Sequence, residues 1–398
     1  MRILQVNTVA GIGSTGRIAC DIAELVNSGG GDCRIAYGIE PCPEKYKDIA
    51  FRIGSDFSVK LHSAASQLFD AEGLGSRRAS HQLIEHIEKY KPDILHLHNI
   101  HGCFLNYPIL FDYLKKSQLP IVWTLHDCWA FTGHCAYFDY VDCTKWKRQC
   151  EQCPQSKEGY PRNLFFDFSR RNYNLKKRYF DGLNLHIVTP SLWLKNLVKK
   201  SILRDYPCTV IYNGVDLNSF YPDKSIPEKF AFDDKMLLLA VAGDWDRRKG
   251  IYDMMRIADK LPDTHKIVAI GNGAPKHERI IALPRTESLA ELRQLYSRAD
   301  CVINPTYEDN FPMVNLEALA CGTPVAVYNT GGCPEAIDES VGAVVRKGDF
   351  NMLLQKAIDI SKKDYTNNCL HLAQKFEKFS CFDGYIKLYK EIMDEVKK

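Results

Sequence analysis

Two carboxylates eight positions apart, Asp309 and Glu317, stand either side of a turn in the stretch 306–325. Leu316, Leu319 and Ala320 recur at helical spacing, Pro312 suits a first helical turn, and Gly322 with Pro324 ends the helix before a strand at 325–327. The helix N-terminus therefore points at the loop. Its free N–H groups, from about Met313 and Val314, suit a phosphate or sugar oxygen, while Asp309 and Glu317 accept hydrogen bonds from hydroxyls. A phosphorylated, polyhydroxylated ligand satisfies both. Two other places have chemistry in reach. Gly11, Gly13 and Gly16 follow a short apolar strand and open a helix, the dinucleotide-binding pattern in which backbone approaches a phosphate. The strand at 120–125 ends in His126 and Asp127, at the carboxyl end where open α/β sheets present ligand sites, which makes His126 a candidate active-site group.

The elements that must position these residues alternate along the chain. Residues 236–241 form a continuous apolar run, as expected of a parallel strand covered on both faces, and helical and strand patterns succeed one another through 251–261, 266–270, 288–300 and 301–304. Earlier strands are expected at 3–6, 33–38, 92–98 and 209–212, with a loop and helical region over 58–90. Such alternation calls for an α/β fold of doubly wound parallel sheets. His96, His98 and His101 fall on or just past one strand, where hydrogen-bonded core or cleft histidines are the expectation rather than a metal site.

The stretch around Asp309 and Glu317 resembles the signature of retaining glycosyltransferases of family 4, with departures: the first acid is usually Glu, and Asn310 and Pro312 stand where glycines are usual. Glu308 is an alternative first acid. The resemblance extends over nearly the whole chain and is strongest over 247–335. It implies a GT-B fold, two Rossmann-like domains facing across a cleft, divided at 1–208 and 209–380 with the helix of 381–398 returning to the first. It also assigns roles. The first acid holds the donor sugar's hydroxyls and Glu317 the ribose; Asn310, Phe311, Met313 and Val314 line the donor, and His126 contacts the donor sugar. The Gly13 and Gly16 loop lies near the donor phosphate. In 242–250 the family carries an Arg and a Lys that neutralise the diphosphate; Lys249 and Gly250 match, Asp244 occupies the Arg position, and Arg247 or Arg248 supplies the missing charge. The segment 127–135 resembles a subset that builds bacterial surface polysaccharides. The expected reaction moves a sugar from a UDP- or GDP-linked donor to a glycan acceptor, lipid-linked, with retention and without a required metal.

At 398 residues the chain suffices for two ordinary domains, and a net charge of +3 gives no global argument for nucleic acid. No run reaches membrane-spanning length, and the opening residues read as a strand rather than a secretory signal, so a cytoplasmic protein is expected. Fifteen cysteines is a large number for such a setting. Cys135, Cys143, Cys150 and Cys153, closing with a Cys-x-x-Cys knuckle, are candidates for a structural zinc, with plain thiols and disulfides as alternatives. The run 193–204 reads as an amphipathic helix, Leu194, Leu197 and Val198 against Lys195, Lys199, Lys200 and Arg204, suited to peripheral contact with an anionic membrane. The competing functions are a nucleotide-dependent oxidoreductase using the Gly11 loop, for which Glu40 stands late as the ribose acid, and a non-catalytic sugar-nucleotide or polysaccharide binder.

Overall fold

The structure is a computed structural model that describes residues 1–223, 225, 235–286 and 288–396. The chain divides into two compact units, one of 1–211 together with the chain from Phe382 onward, the other Tyr212–Cys381.

The first unit is built on a parallel sheet of β1 (Arg2–Asn7), β2 (Asp32–Tyr37), β3 (Ala50–Arg52), β4 (Ile94–Leu97), β5 (Ile121–Thr124), β6 (Leu185–Thr189) and β7 (Cys208–Val210). Their order is β3-β2-β1-β4-β5-β6-β7. Ile3, Leu4, Val6, Leu95 and Val122 are wholly buried, as strands covered on both faces require. The covering helices are α1 (Gly13–Ser28), α2 (Asp56–Phe69), α3 (Arg77–Tyr90), α4 (Tyr107–Ser117), α5 (Ser169–Tyr179) and α6 (Leu192–Val198). The loop and helical region expected at 58–90 is two helices joined by a loop. Asp70, Gly73 and Ser76 between them all take positive φ, which no helix continues through.

The second unit repeats the plan. Strands β8 (Met236–Asp244), β9 (His265–Asn272), β10 (Ile280–Leu283), β11 (Cys301–Asn304), β12 (Val325–Asn329) and β13 (Gly342–Arg346) run parallel in the order β10-β9-β8-β11-β12-β13. Helices α7 (Ile251–Asp259), α8 (Leu289–Arg298), α9 (Met313–Ala320), α10 (Phe350–Ser361) and α11 (Thr366–Gln374) complete it. Read within each sheet, both orders are that of the dinucleotide-binding α/β fold, first strand central and the order reversing beside it.

The last helix, α12 (Lys378–Val396), contributes buried tyrosines to the first unit. Tyr389 Oη lies 2.6 Å from His96 Nδ1, and His96 Nε2 lies 2.8 Å from Thr124 Oγ1, which is 3.0 Å from Tyr385 Oη. Burial holds His96 neutral, so the chain of bonds is complete without charge. Tyr389→Phe leaves the buried His96 Nδ1 unpartnered and should cost about 1–3 kcal/mol in urea unfolding of the first unit. An unfolding curve identical to wild type would remove the network from the account of α12 docking.

Candidate functional site

In the second sheet the strand order reverses between β8 and β11, and the loops leaving their carboxyl ends therefore meet. The β8 loop turns at Gly250, whose φ of 78° is left-handed, and a Cβ there would stand 2.1 Å from the Pro305 carbonyl oxygen. Only glycine lets the two loops touch. Main-chain bonds then lock them: Tyr307 N–H donates to Arg248 O at 2.7 Å, and the Thr306 hydroxyl to the same oxygen at 3.2 Å. On this frame Lys249 Nζ lies 2.5 Å from Asp309 Oδ2, both side chains less than a fifth exposed. The Arg248 guanidinium donates to Glu308 O at 2.9 Å. Burial works against the Asp309 charge, but Lys249 and then Arg248 outweigh it and hold the carboxyl below its ordinary range. Asp246 fixes the loop from the other side by accepting from Lys249 N–H at 2.8 Å.

Of the two arginines expected to supply charge, Arg248 is the one tied to the acidic loop, while Arg247 is exposed. Asp244, at the end of β8, is exposed and accepts from the Asn272 amide at 3.0 Å. Glu308, the alternative first acid, is wholly buried. Asn310 is buried beside it, and its N–H is bonded to the Asp309 carboxylate.

Helix α9 begins as expected, with Pro312 as an N-cap that offers no side-chain bond. Met313 and Val314 are half-buried at its first turn, whereas Asn315 N–H is already bonded to Pro312 O at 3.2 Å. Glu317 is buried and accepts from Tyr296 Oη at 3.0 Å. Tyr296, the partner of Glu317, is fully buried. Phe311, expected along the donor, puts its ring in the core, 5.0 Å from Tyr212 and 5.7 Å from Phe376, because an aromatic ring buries more area there than in a polar loop.

Two supports were not read from the sequence. A Cβ at Gly331 would stand 1.9 Å from Asp309 O, and Gly332 N–H donates to that oxygen at 3.0 Å, so this turn clasps the acidic loop. Buried Asp253 on α7 accepts from Tyr307 and Tyr328 hydroxyls, each at 2.7 Å, and so ties the lysine-bearing segment to the acid-bearing one. The Gly-Gly pair was a visible signal; the Asp253 link has none, since it depends on three residues far apart in the chain.

The first unit gathers its histidines at the ends of β4 and β5. Gln5 donates its amide N–H to Ala19 O at 2.8 Å, which leaves Gln5 Oε1 facing His98 Nε2 at 2.7 Å. His98 Nε2 must therefore carry the proton. Its Nδ1 then accepts from His126 Nε2 at 2.9 Å, so the neutral His126 ring keeps a lone pair at Nδ1. Burial pulls the His126 pKa down to about 4, and His98 well below its usual value. Beside them His101 Nε2 is 2.8 Å from Asp127 Oδ2. There burial opposes the charge, but the Asp127 carboxylate outweighs it and raises the His101 pKa. Gly13 begins α1 with φ of 64° and open space where a Cβ would stand, while Gly16 is buried inside the helix. The α1 N-terminus has no side-chain cap.

Cys135, Cys143, Cys150 and Cys153 line one small cavity with His134 and Trp146, all as free thiols. Burial pushes Cys150 up to about 12, while a hydrogen bond with Cys135 brings Cys153 down to about 7. Among the described residues no group of three or more His, Cys, Asp or Glu side chains is arranged to hold a metal ion. The spacing that suggested zinc does bring all four thiols to one cavity. The helix expected over 193–204 is also shorter. It ends at Val198, where Ser201 Oγ bonds Val198 O at 2.8 Å, and Leu194 and Val198 are buried in the core rather than offered outward.

The His126 shift gives a stability prediction. Its folded pKa of about 4 lies below the ordinary 6.5, so on acidification the unfolded chain takes the proton first. Stability present in full above pH 6.5 should fall steadily toward pH 4, and His126→Asn should flatten part of that fall in thermal melts. A wild-type melting temperature that is constant across this window would contradict the buried, neutral ring.

The family description "Glycosyltransferase Family 4" matches residues 42–219 and "Glycosyl transferases group 1" residues 236–363. A protein named as the colanic acid biosynthesis glycosyl transferase WcaC of Escherichia coli K12 is 23% identical over 374 residues, covering 89% of this chain and 90% of its own. A D-inositol 3-phosphate glycosyltransferase of a Mycobacterium species is 34% identical over 189 residues, 43% of each chain. Among solved structures, sucrose-phosphate synthase from Thermosynechococcus elongatus aligns over 99% of both chains with a TM-score of 0.74 at 15% identity. HepE from Anabaena in complex with UDP-glucose aligns over 100% of this chain and 99% of its own, with a TM-score of 0.66 and 15% identity. Matched in both halves and folded as two parallel-sheet α/β domains of the GT-B kind, the chain belongs to glycosyltransferase family 4.

Proposed function

We propose that this glycosyltransferase takes a nucleoside-diphosphate sugar as donor and transfers the sugar, with retained anomeric configuration, to a glycan acceptor of a bacterial surface polysaccharide. The carrying observation is the Lys249–Asp309 pair with Arg248 beside it, at the carboxyl ends of β8 and β11. Two cations of this kind match the requirement of the reaction. The bond from the anomeric carbon to the diphosphate oxygen breaks, its electron pair leaves with the diphosphate, and that developing charge needs stabilising. The acceptor hydroxyl oxygen bonds to the same face of the anomeric carbon, and its proton passes to an oxygen of the departing diphosphate. No side-chain nucleophile is then required. Asp309, already neutralised by Lys249, suits a hydrogen-bond acceptor for sugar hydroxyls better than a nucleophile. The lone pair at His126 Nδ1 accepts a further hydroxyl, and Glu317, steadied by Tyr296, takes the ribose. Likeness to WcaC over nearly the full length supports the polysaccharide setting, and the UDP-glucose complex of HepE supports the donor class. Lys249 and Arg248 do the work a divalent metal would otherwise do, so turnover in this reading is unaffected by a chelator.

The test is transfer from a panel of UDP- and GDP-sugars to lipid-linked glycans, with the anomeric configuration of the product read by proton NMR. Lys249→Ala and Arg248→Ala should each lower kcat/KM by roughly tenfold or more, the order expected for losing a charged contact worth ~1.5–3 kcal/mol, while Arg247→Ala has a smaller effect. Glu317→Ala should fall in the same range. An inverted product would refute the mechanism. Equal, small effects at 247, 248 and 249 in folded variants would refute the site.

A further inference from the structure

Helix α2 is turned inside out. Its buried side chains are polar, His62 and Ser66, while Phe57 and Leu61 are 77% and 63% exposed and Leu68 and Phe69 also face solvent. The inward face is held by specific bonds. Gly75 N–H donates to His62 Nε2 at 2.9 Å, so His62 Nδ1–H donates to Ser76 Oγ at 3.0 Å, and Ser66 Oγ donates to Glu72 Oε2 at 3.1 Å. Rotating the helix to bury its apolar side would break all three and strand a buried histidine and a buried carboxylate. A second apolar element lies alongside. Leu164, Phe165 and Phe166 are 40%, 66% and 50% exposed, Leu164 N–H donates to Gln67 O at 2.7 Å, and the Phe166 and Phe69 rings stack at 6.1 Å. Phe168 N–H and the Arg171 guanidinium fasten the end of this loop to Asp70, so it is fixed against the helix. Two adjoining elements thus hold large apolar side chains in water, and their geometry is maintained by buried polar bonds.

The charges around the patch select the occupant. Along α2 and residues 160–171 the exposed cations are Lys60, Arg162, Arg170 and Arg171, of which Arg170 lies 3.8 Å from Glu151. The two acids there that are not buried are already engaged, Asp56 by Arg52 and Asp167 by the main-chain N–H groups of Cys153 and Ser169. Aromatic and aliphatic side chains rimmed by Lys and Arg match the boundary of an anionic bilayer, where rings enter the headgroup region and cations meet phosphate. No helix among the described residues is long and apolar enough to cross a membrane, so contact of this kind would be interfacial. We propose that α2 and the loop at 164–166 form the surface by which this protein docks on anionic phospholipid, in place of the basic run at 193–204 whose apolar side is buried. This surface is separate from the residues given roles in transfer, so its test can fail without touching that reading.

The experiment is co-sedimentation of the full chain with vesicles of phosphatidylcholine alone or with added phosphatidylglycerol, across a salt series. Wild type should partition to the anionic vesicles, less so as salt rises. The variant Phe57→Ser/Leu61→Ser/Phe165→Ser should partition at least about tenfold less while melting at an unchanged temperature, since all three side chains are mostly exposed. Lys60→Glu/Arg162→Glu should lose the preference for phosphatidylglycerol. A Leu164→Trp probe should shift its emission to the blue on vesicle addition. Absence of vesicle binding by wild type, or equal binding by the serine variant, overturns the proposal. So does a wild-type dimer on gel filtration that the serine variant converts to monomer without any vesicle binding, which would make the face a contact between copies.

Discussion

The second unit depends on one close approach. The loops after β8 and β11 can meet only because position 250 has no side chain to collide with Pro305, and that meeting sets a lysine against a carboxylate in a partly desolvated place. A pair so enclosed is strongly coupled, and removal of one partner typically costs ~3 kcal/mol because the other is left charged and unpaired. Gly331 and Gly332 clasp the acid-bearing loop, and Asp253 ties that loop to the helix that follows the lysine.

The first unit solves a different problem. Where the second concentrates charge, the ends of β4 and β5 suppress it. His96, His98 and His126 are all pushed toward the neutral form by burial, and a chain running from Gln5 through His98 fixes which nitrogen of His126 keeps its lone pair. A neutral imidazole there keeps an acceptor lone pair without placing a cation at the end of the strand. His101, held by Asp127, shows that the same neighbourhood permits a raised pKa when a carboxylate is adjacent.

Much of this was legible in the residues, and the exceptions share a cause. Apolar runs such as 236–241 and 301–304 mark strands because only a covered parallel strand is apolar on both faces, and the Lys249-Gly250 pair and the 306–325 stretch fall where such strands end. What the sequence does not carry is the direction in which a side chain points. Phe311 is near the right place but faces the core. The helix expected over 193–204 stops at Val198, where Ser201 bonds back to the main chain. The outward face of α2 is the sharpest case, because its orientation is decided by His62 and Ser66 meeting partners in the next loop, and hydrophobic periodicity alone would turn the helix the other way.

The central claim is that Lys249 and Arg248 are the diphosphate's counter-charges. A crystal structure of the protein with a nucleoside diphosphate tests it most directly. The account predicts phosphate oxygens within hydrogen-bond distance of Lys249 Nζ and the Arg248 guanidinium, with Asp309 still facing the lysine. A nucleotide bound elsewhere, with Lys249 and Asp309 untouched, would contradict it.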